Sequence, residues 1–286
     1  MAPDGAAPAV MAPRWVALHI EAPEGALRDL VLQMLMDGGA GAVQELGSAL
    51  LTHLIEGAPL DTLCSALAAA GASVRRTELG EVDWSAHWVT RVGVQRIGRI
   101  AVAPPWMSDD IASAEISILI EPAMAFGTGE HETTRGVLTL MQSLVEPGML
   151  VADLGSGSGV LAIAAAKLGA GRVVAIEMDP DAIGNALENV ERNNVAPRVT
   201  VLQGDAAALL PLVAPVSLVL ANIISSVIIE LSPIISRALP SGGKAVISGI
   251  LVTEREHLLA SLSADGWTLE SELREGEWWS CVIARP

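Results

Sequence analysis

The chain has 286 residues, 51% of them hydrophobic, so it can bury a substantial core and is long enough for two domains. Its formal net charge of −16 argues against direct nucleic-acid binding, because such binding requires Lys and Arg side chains that neutralise phosphates. The charge favours a basic partner, or serves solubility alone. No uninterrupted apolar run is long enough for a membrane span, and Cys64 and Cys281 have no metal-ligand spacing, so we expect a cytoplasmic protein without membrane or metal.

The first eighty residues contain a tail and a small domain. Residues 1–14 are rich in Ala, Pro and Gly and lack a signal-peptide pattern, which predicts a disordered tail. Residues 15–80 show strand and helix patterns in the order βαββαβ, the plan of ferredoxin-like α+β domains. RNA-binding domains share this plan but stack bases on strand aromatics, whereas this segment has no Phe or Tyr and only Trp15. With three Arg against eight Asp plus Glu, it predicts an acidic domain that recognises a protein substrate.

Residues 81–96 are predicted to form a linker helix. Trp84 and Trp88 lie four residues apart and therefore share one face of that helix. We interpret the pair as packing between two domains rather than as a ligand site.

The segment 97–286 predicts the larger domain. Apolar strands are predicted in the stretch ISILIEP and at 150–154, 172–178, 199–205, 216–223, 243–250, 267–273 and 278–284. Helical stretches separate the first five of the last seven strands, which favours a mostly parallel sheet with helices on both faces. The short REGE turn before the last strand predicts an antiparallel hairpin. The predicted fold class is α/β, with a seven-stranded Rossmann-like sheet after the small α+β domain.

The turn DLGSGSG at 153–159 follows the first strand of that sheet and precedes an alanine-rich helix. A dinucleotide-binding fingerprint has its third glycine at the sixth position, which is occupied here by Val160. Glycines instead occupy every second position after Asp153, the pattern of enzymes that bind S-adenosylmethionine, a cofactor without a pyrophosphate. The turn therefore predicts S-adenosylmethionine rather than NAD.

Each residue of the turn has a chemical role in this prediction. Gly155 and Gly157 lack side chains, so the backbone can approach the methionine part of the cofactor closely. The helix that opens near Ser158 is expected to offer N–H groups to its carboxylate. Asp153 is expected to balance its ammonium group. Glu177, at the end of the next strand, presents two oxygens that can accept hydrogen bonds from the ribose hydroxyls.

Four further stretches accompany this turn: EPAMAFGTGEHETTRGVL at 121–138, ANI at 221–223, SGIL at 248–251 and the pair Glu277–Trp278. With the glycine turn, they make residues 15–286 resemble the ribosomal protein L11 methyltransferase family. The resemblance implies a class I methyltransferase domain at 97–286 that follows the recognition domain and its linker. The chain departs from the family's usual pattern at Ser156 and Glu177, where cysteine and aspartate are more common.

The resemblance also implies a cofactor, a substrate and a set of contact residues. The cofactor is S-adenosylmethionine, and the substrate is a basic ribosomal protein of the large subunit, of the L11 type, methylated on its α-amine and on lysines. The implied cofactor contacts are Thr134, Gly155, Glu177 and Asn222, accompanied by Gly127, Thr128, Asp153, Gly157 and Gly159.

Further predictions concern individual side chains near these motifs. Phe126 is the only Phe and lies in a glycine-flanked loop, so we expect it to cover the entrance to the cofactor or substrate. His131 is expected to order that loop by hydrogen bonds or to shape the amine site, and its neighbours do not form an H-E-x-x-H metal motif. Thr133 or Thr134 is expected to cap the following helix. Asn222 ends a buried strand, where open α/β sheets bind ligands, and is expected to position the amine.

The expected reaction is in-line displacement at the cofactor's methyl group by a neutral amine nitrogen. The sequence offers no compelling general base, so we expect the amine to lose its proton to water before the Asn222 region aligns it. Three other classes stay open: an RNA methyltransferase, a non-catalytic adaptor that holds basic proteins, and a dehydrogenase.

Overall fold

The structure, a computed structural model, describes residues 15–22, 25–40, 43–55, 58–79, 93–122, 127 and 129–285. The chain divides into two compact units, residues 1–86 and 87–286, and the division falls inside the predicted linker. The predicted tail at 1–14 lies outside the described residues, as do Trp84 and Trp88. None of the helices in the described ranges is both long and apolar enough to cross a bilayer.

The first unit has the predicted ferredoxin-like order of strands and helices. Its elements are β1 (Trp15–Glu21), α1 (Ala26–Asp37), β2 (Val43–Leu46), β3 (Ala49–Ile55), α2 (Ala58–Ala69) and β4 (Ser73–Leu79). The four strands form an antiparallel sheet in the order β2-β3-β1-β4. Val16, Leu18 and Ile20 alternate along β1 and are buried in one cluster with Leu35 of α1 and Leu67 of α2.

A small sheet opens the second unit. Its elements are β5 (Gln95–Ile97), β6 (Ile100–Ala103), a 3-10 turn at Pro105–Met107, α3 (Ser108–Ile111) and β7 (Ile116–Leu119). The prediction of a linker helix to residue 96 is wrong at its end, because Gln95 and Arg96 pair with β6 across a tight turn at Gly98, whose φ is 57°. The ISILIEP strand, β7, belongs to this three-stranded sheet and pairs in parallel with β6.

The main sheet has seven strands, as predicted. The elements are α4 (Glu132–Met141), β8 (Leu150–Leu154), α5 (Val160–Leu168), β9 (Arg172–Glu177), α6 (Pro180–Arg192), β10 (Val199–Gln203), α7 (Ala206–Val213), β11 (Leu218–Asn222), α8 (Ser225–Ala238), β12 (Lys244–Leu251), a 3-10 turn at Val252–Glu254, α9 (Arg255–Ala264), β13 (Thr268–Glu275) and β14 (Trp278–Ala284). The strand order is β10-β9-β8-β11-β12-β14-β13. The first five of these are parallel, and β14 pairs antiparallel with both neighbours. The α/β fold class and the terminal hairpin are confirmed.

Helices cover both faces of this sheet. One core cluster contains apolar side chains of α4, α5 and α6, and the other contains those of α7, α8 and α9. Helix α5 is buried on every side from Val160 to Ala166, because the small sheet packs into the same cluster beyond it. This packing fixes the start of α5, and with it the glycine turn, at the carboxyl edge of the sheet.

Candidate active site

The predicted site residues meet at one edge of the main sheet. Asp153, Glu177 and Asn222 lie at or next to the carboxyl ends of β8, β9 and β11, which are neighbours in the sheet. In the sheet, β9 and β10 lie on one side of β8, whereas β11 and all later strands lie on its other side. Open α/β sheets bind ligands in the crevice that forms at such a reversal.

The glycine turn is shaped by three left-handed glycines. Gly155, Gly157 and Gly159 have φ values of 68°, 51° and 82°, which disfavour any residue with a Cβ. A Cβ on Gly155 would also lie 2.6 Å from Cγ2 of Ile223, which follows β11. The bare backbone of Gly155 therefore allows the turn and the loop after β11 to approach each other, as a crevice with narrow walls requires.

Glu177 accepts a hydrogen bond from the turn and two from the backbone that follows it. Its Oε2 accepts a hydrogen bond from the Gly157 nitrogen at 2.7 Å, and its Oε1 accepts from Met178 and Asp179 at 2.8 and 2.9 Å. A carboxylate has about four acceptor positions, so these three bonds leave capacity for a ligand hydroxyl. Glu177 thus braces the turn, and its contact with a ribose stays a prediction.

Two polar atoms buried in the turn have no hydrogen-bond partner among the described residues. Among the residues that the structure describes, the buried side-chain atoms without a hydrogen bond are Nδ1 of His19, Oδ1 of Asp153 and Oγ of Ser156. Complete burial raises the pKa of Asp153 to about 7, against the lowering effect of the Ala162 N–H bond and with a further rise from the Glu177 charge. Unpaired buried polar atoms are costly, and two of them in one turn point to a polar ligand.

The start of α5 departs from its prediction in one respect. Two of its first N–H groups are used inside the chain: Val160 donates to Oγ of Ser158 at 3.4 Å, and Ala162 donates to Oδ2 of Asp153 at 3.0 Å. The expectation that these groups are free for a ligand carboxylate is therefore wrong for both, because polar side chains of the same turn reach them first.

Ser158 connects the glycine turn to the loop that precedes α4. Its hydroxyl donates to the Gly127 carbonyl at 2.6 Å, and Gly127 has a φ of 105°. A Cβ on Gly127 would lie 3.0 Å from the same hydroxyl oxygen. Gly127 therefore lies beside the turn, and its contact with a cofactor stays a prediction, whereas Phe126 and Thr128 lie outside the described residues.

His131 caps α4, and the expectation that a threonine does so is wrong. Its Nδ1 accepts from the Thr133 backbone nitrogen at 3.3 Å and lies 2.8 Å from the Thr133 hydroxyl. The His131 ring also meets the Trp278 ring edge-on, with centroids 4.9 Å apart. His131 therefore orders the start of α4, while its ordering of the loop and its shaping of the amine site stay predictions. Among the described residues, no cluster of His, Cys, Asp and Glu could hold a metal ion.

Thr134 and Asn222 are brought together across the crevice. Thr134 is fully buried in the first turn of α4, and its Oγ1 accepts from the Asn222 side-chain amide at 3.3 Å. The Asn222 amide therefore directs its nitrogen toward Thr134. The amide oxygen is then the atom that can accept a hydrogen bond from an incoming amine.

Three asparagines, two in α6 and one directly after it, contribute to the site although the sequence analysis did not select them. Asn193 pairs with the Leu119 backbone, and Asn189 accepts from the Glu121 nitrogen while its amide donates to the Ser158 carbonyl. With Asn185, they fall at intervals of four residues and are buried. This spacing on one helix face was the signal that could have found them. They hold the segment before the loop against the glycine turn.

Several known proteins are similar to this chain. The model of the family "Ribosomal protein L11 methyltransferase (PrmA)" matches residues 53–286. A ribosomal protein L11 methyltransferase of Chloroflexus aurantiacus is 38% identical over 236 residues, which cover 74% of this chain and 72% of the relative. One of Pelotomaculum thermopropionicum is 39% identical over 217 residues, 76% of this chain and 70% of the relative. The crystal structure of a ribosomal protein L11 methylase from Lactobacillus delbrueckii subsp. bulgaricus has a TM-score of 0.61 and 28% identity, and it covers 67% of this chain and 98% of that chain.

Proposed function

The chain belongs to the ribosomal protein L11 methyltransferase family, and on that premise we propose that it moves methyl groups from S-adenosylmethionine to amines of the large-subunit ribosomal protein L11. As a member of this family, the chain is a methyltransferase. The α-amine and lysine side chains are the acceptors that we propose. The observation that carries the proposal is the set of side chains at the carboxyl ends of neighbouring strands, where Asn222 binds Thr134 and Glu177 binds the glycine turn.

The residues of the crevice fit an adenosyl cofactor. Gly155 leaves the backbone bare where it passes Ile223. Oδ1 of Asp153 and Oγ of Ser156, which have no partner among the described residues, suit the ammonium and carboxylate of its methionine part. Glu177 would accept a hydrogen bond from the ribose, and the remaining proposed contacts are Gly127, Thr128, Thr134, Gly157, Gly159 and Asn222. Phe126 is proposed to cover the entrance.

The chemistry is a displacement in which an amine nitrogen forms a bond to the methyl carbon while the carbon–sulfur bond breaks and its electron pair stays on sulfur. The nitrogen must be neutral, and an α-amine with an ordinary pKa near ~8 loses its proton to water more readily than a lysine at ~10.4. We assign the alignment of that nitrogen to the Asn222 amide oxygen, held in place by Thr134. His131 caps the start of α4, the helix that carries Thr134.

The acidic first domain, residues 15–80, is the part that we propose to bind the basic substrate protein. Its net negative charge and its lack of strand aromatics favour a protein over RNA. The second unit then carries out the transfer, with no direct nucleic-acid contact, in the cytoplasm.

The test is mass spectrometry of purified ribosomal proteins incubated with the enzyme and labelled S-adenosylmethionine. We expect label on L11 at its α-amine and at lysines, and none with NADH in place of the cofactor. Label on ribosomal RNA or on other proteins, with L11 unmodified, would overturn the proposal. A chain that lacks residues 1–80 should bind the cofactor and leave intact L11 unmethylated, and undiminished turnover would contradict the role of the first domain.

A further inference from the structure

The first turn of α4 lies on the C-terminal hairpin, 140 residues away along the chain. Arg135 donates from Nε and Nη2 to Oε1 of Glu275, the last residue of β13, at 2.8 and 2.6 Å. Its Nη1 donates to the Glu130 carbonyl, just before the helix. Glu132 adds a longer ion pair at 3.6 Å. One guanidinium therefore joins the loop, the helix start and the hairpin.

Two further contacts run along the same hairpin. The His131 ring packs edge-on against Trp278, which pairs with Glu275 across the hairpin. Helix α4 also lies so close to β14 that a Cβ on Gly136 would come within 2.2 Å of Oγ of Ser280. The hairpin is thus the surface on which the first turn of α4 rests.

This arrangement bears on catalysis because of the residue that precedes Arg135. Thr134 is buried, and its hydroxyl meets the Asn222 amide at 3.3 Å, near the limit of a hydrogen bond. A small displacement of the helix start breaks that bond and turns the amide that is proposed to align the amine. Misplacement by 1 Å at a reacting centre can cost about 100-fold in rate.

We propose that Arg135, paired with Glu275, is a positioning residue of the methyl-transfer site, and that it sets the distance between Thr134 and Asn222. The inference rests on the proposed function, since it assigns a cause to the geometry of that same site. Arg135 touches neither cofactor nor substrate in this assignment. It acts by holding the start of α4 on the hairpin.

The geometry distinguishes this pair from an ordinary surface ion pair. Arg135 and Glu275 expose 24% and 40% of their side chains, and the guanidinium uses its planar fork toward Glu275 and a third N–H toward a carbonyl. A lysine supplies the charge without the fork. The conservative variant Arg135→Lys therefore separates charge from geometry.

The chain offers a matched control on the same strand. Glu270 of β13 forms an ion pair with Lys244 of β12 at 2.6 Å, with exposures of 38% and 37%. Lys244 begins β12, so this pair binds the hairpin to the opposite end of the sheet from α4. Glu270→Gln removes an ion pair of the hairpin without touching the start of α4.

The experiment measures cofactor affinity by calorimetry, kcat and KM for L11, and the thermal midpoint, in Arg135→Gln, Glu275→Gln, their double variant, Arg135→Lys and Glu270→Gln. We expect each glutamine variant at 135 or 275 to lower kcat by about tenfold or more, with KM for L11 nearly unchanged. The double variant should be no worse than the singles, because the two residues act as one unit. Arg135→Lys should recover part of kcat, and Glu270→Gln should match the unaltered enzyme.

Equal kcat in Arg135→Gln and Glu270→Gln would overturn the inference, as would additive losses in the double variant. A loss of thermal midpoint with full kcat at low temperature would assign Arg135 to stability alone and would likewise overturn it. Where Arg135→Gln does not fold, Arg135→Lys and Glu275→Gln decide the question. Failure of the unaltered enzyme to methylate L11 would overturn the proposed function itself, which is a separate result.

Discussion

The glycine turn at 153–159 and the start of α4 both border the crevice, but different interactions hold them. The turn is set by left-handed glycines and by the Gly157 N–H bond to Glu177, 20 residues away. The start of α4 is set by side chains whose partners lie 88 and 140 residues away, Thr134 with Asn222 and Arg135 with Glu275. The comparison indicates that contacts close in sequence shape the glycine turn, whereas contacts distant in sequence position the start of α4.

The largest effect should come from giving the turn a side chain. Gly155→Ala adds a Cβ 2.6 Å from Ile223 at a φ of 68°, so strain and overpacking together should cost about 2–5 kcal/mol of stability and abolish cofactor binding. Gly148→Ala is the control, since its φ is 86° but no heavy atom of the described residues lies within 4 Å of the new Cβ. It should cost about 1–2 kcal/mol by urea unfolding and leave cofactor affinity intact. Equal losses in the two variants would show that the contact with Ile223 is unimportant.

The next effect tests the carboxylate that braces the turn. Glu177→Ala removes the acceptor of the Gly157 N–H bond and of the proposed ribose hydroxyl, so calorimetry should show cofactor binding weaker by about 2–4 kcal/mol. Glu177→Asp keeps the charge on a shorter chain and should lose much less. Unchanged affinity in Glu177→Ala would remove this residue from the cofactor site.

On the acceptor side, the corresponding local test is the cap of α4. His131→Ala should cost about 0.5–2 kcal/mol of stability, because the Thr133 N–H loses its acceptor, and His131→Asn should restore most of it. Urea unfolding of the three proteins measures both steps. A failure of asparagine to restore stability would mean that the contact with Trp278, not the cap, is what His131 contributes.

The same contrast explains what the sequence could predict. The shape of the glycine turn and the place of Glu177 were predictable because φ angles and strand ends are local properties. The cap at His131 was not, since threonine is the commoner cap and Trp278 stands far along the chain. The smaller sheet was not predicted for a related reason. The sequence pattern of an apolar strand such as β7 does not indicate which sheet the strand joins.

The smallest effect concerns the one buried charge of the turn. Burial raises the pKa of Asp153 from 3.8 to about 7, so the folded chain holds a proton that the unfolded chain releases between those values. The contribution of Asp153 to stability is therefore fully present below about pH 4 and is lost as pH rises through 7. Between pH 6 and 8 the expected loss is about 1 kcal/mol, and Asp153→Asn should not show it.

Urea unfolding of both proteins at pH 6, 7 and 8 measures that difference, and titrations elsewhere in the chain cancel between them. Parallel stability curves would mean that Asp153 titrates as an ordinary carboxyl. Saturating S-adenosylmethionine should flatten the slope of the unaltered protein up to pH 7, because its cationic ammonium favours the ionised carboxylate that we assign to it. Burial of Asp153 would then cause the pH dependence of the free turn, and the bound ligand would remove it.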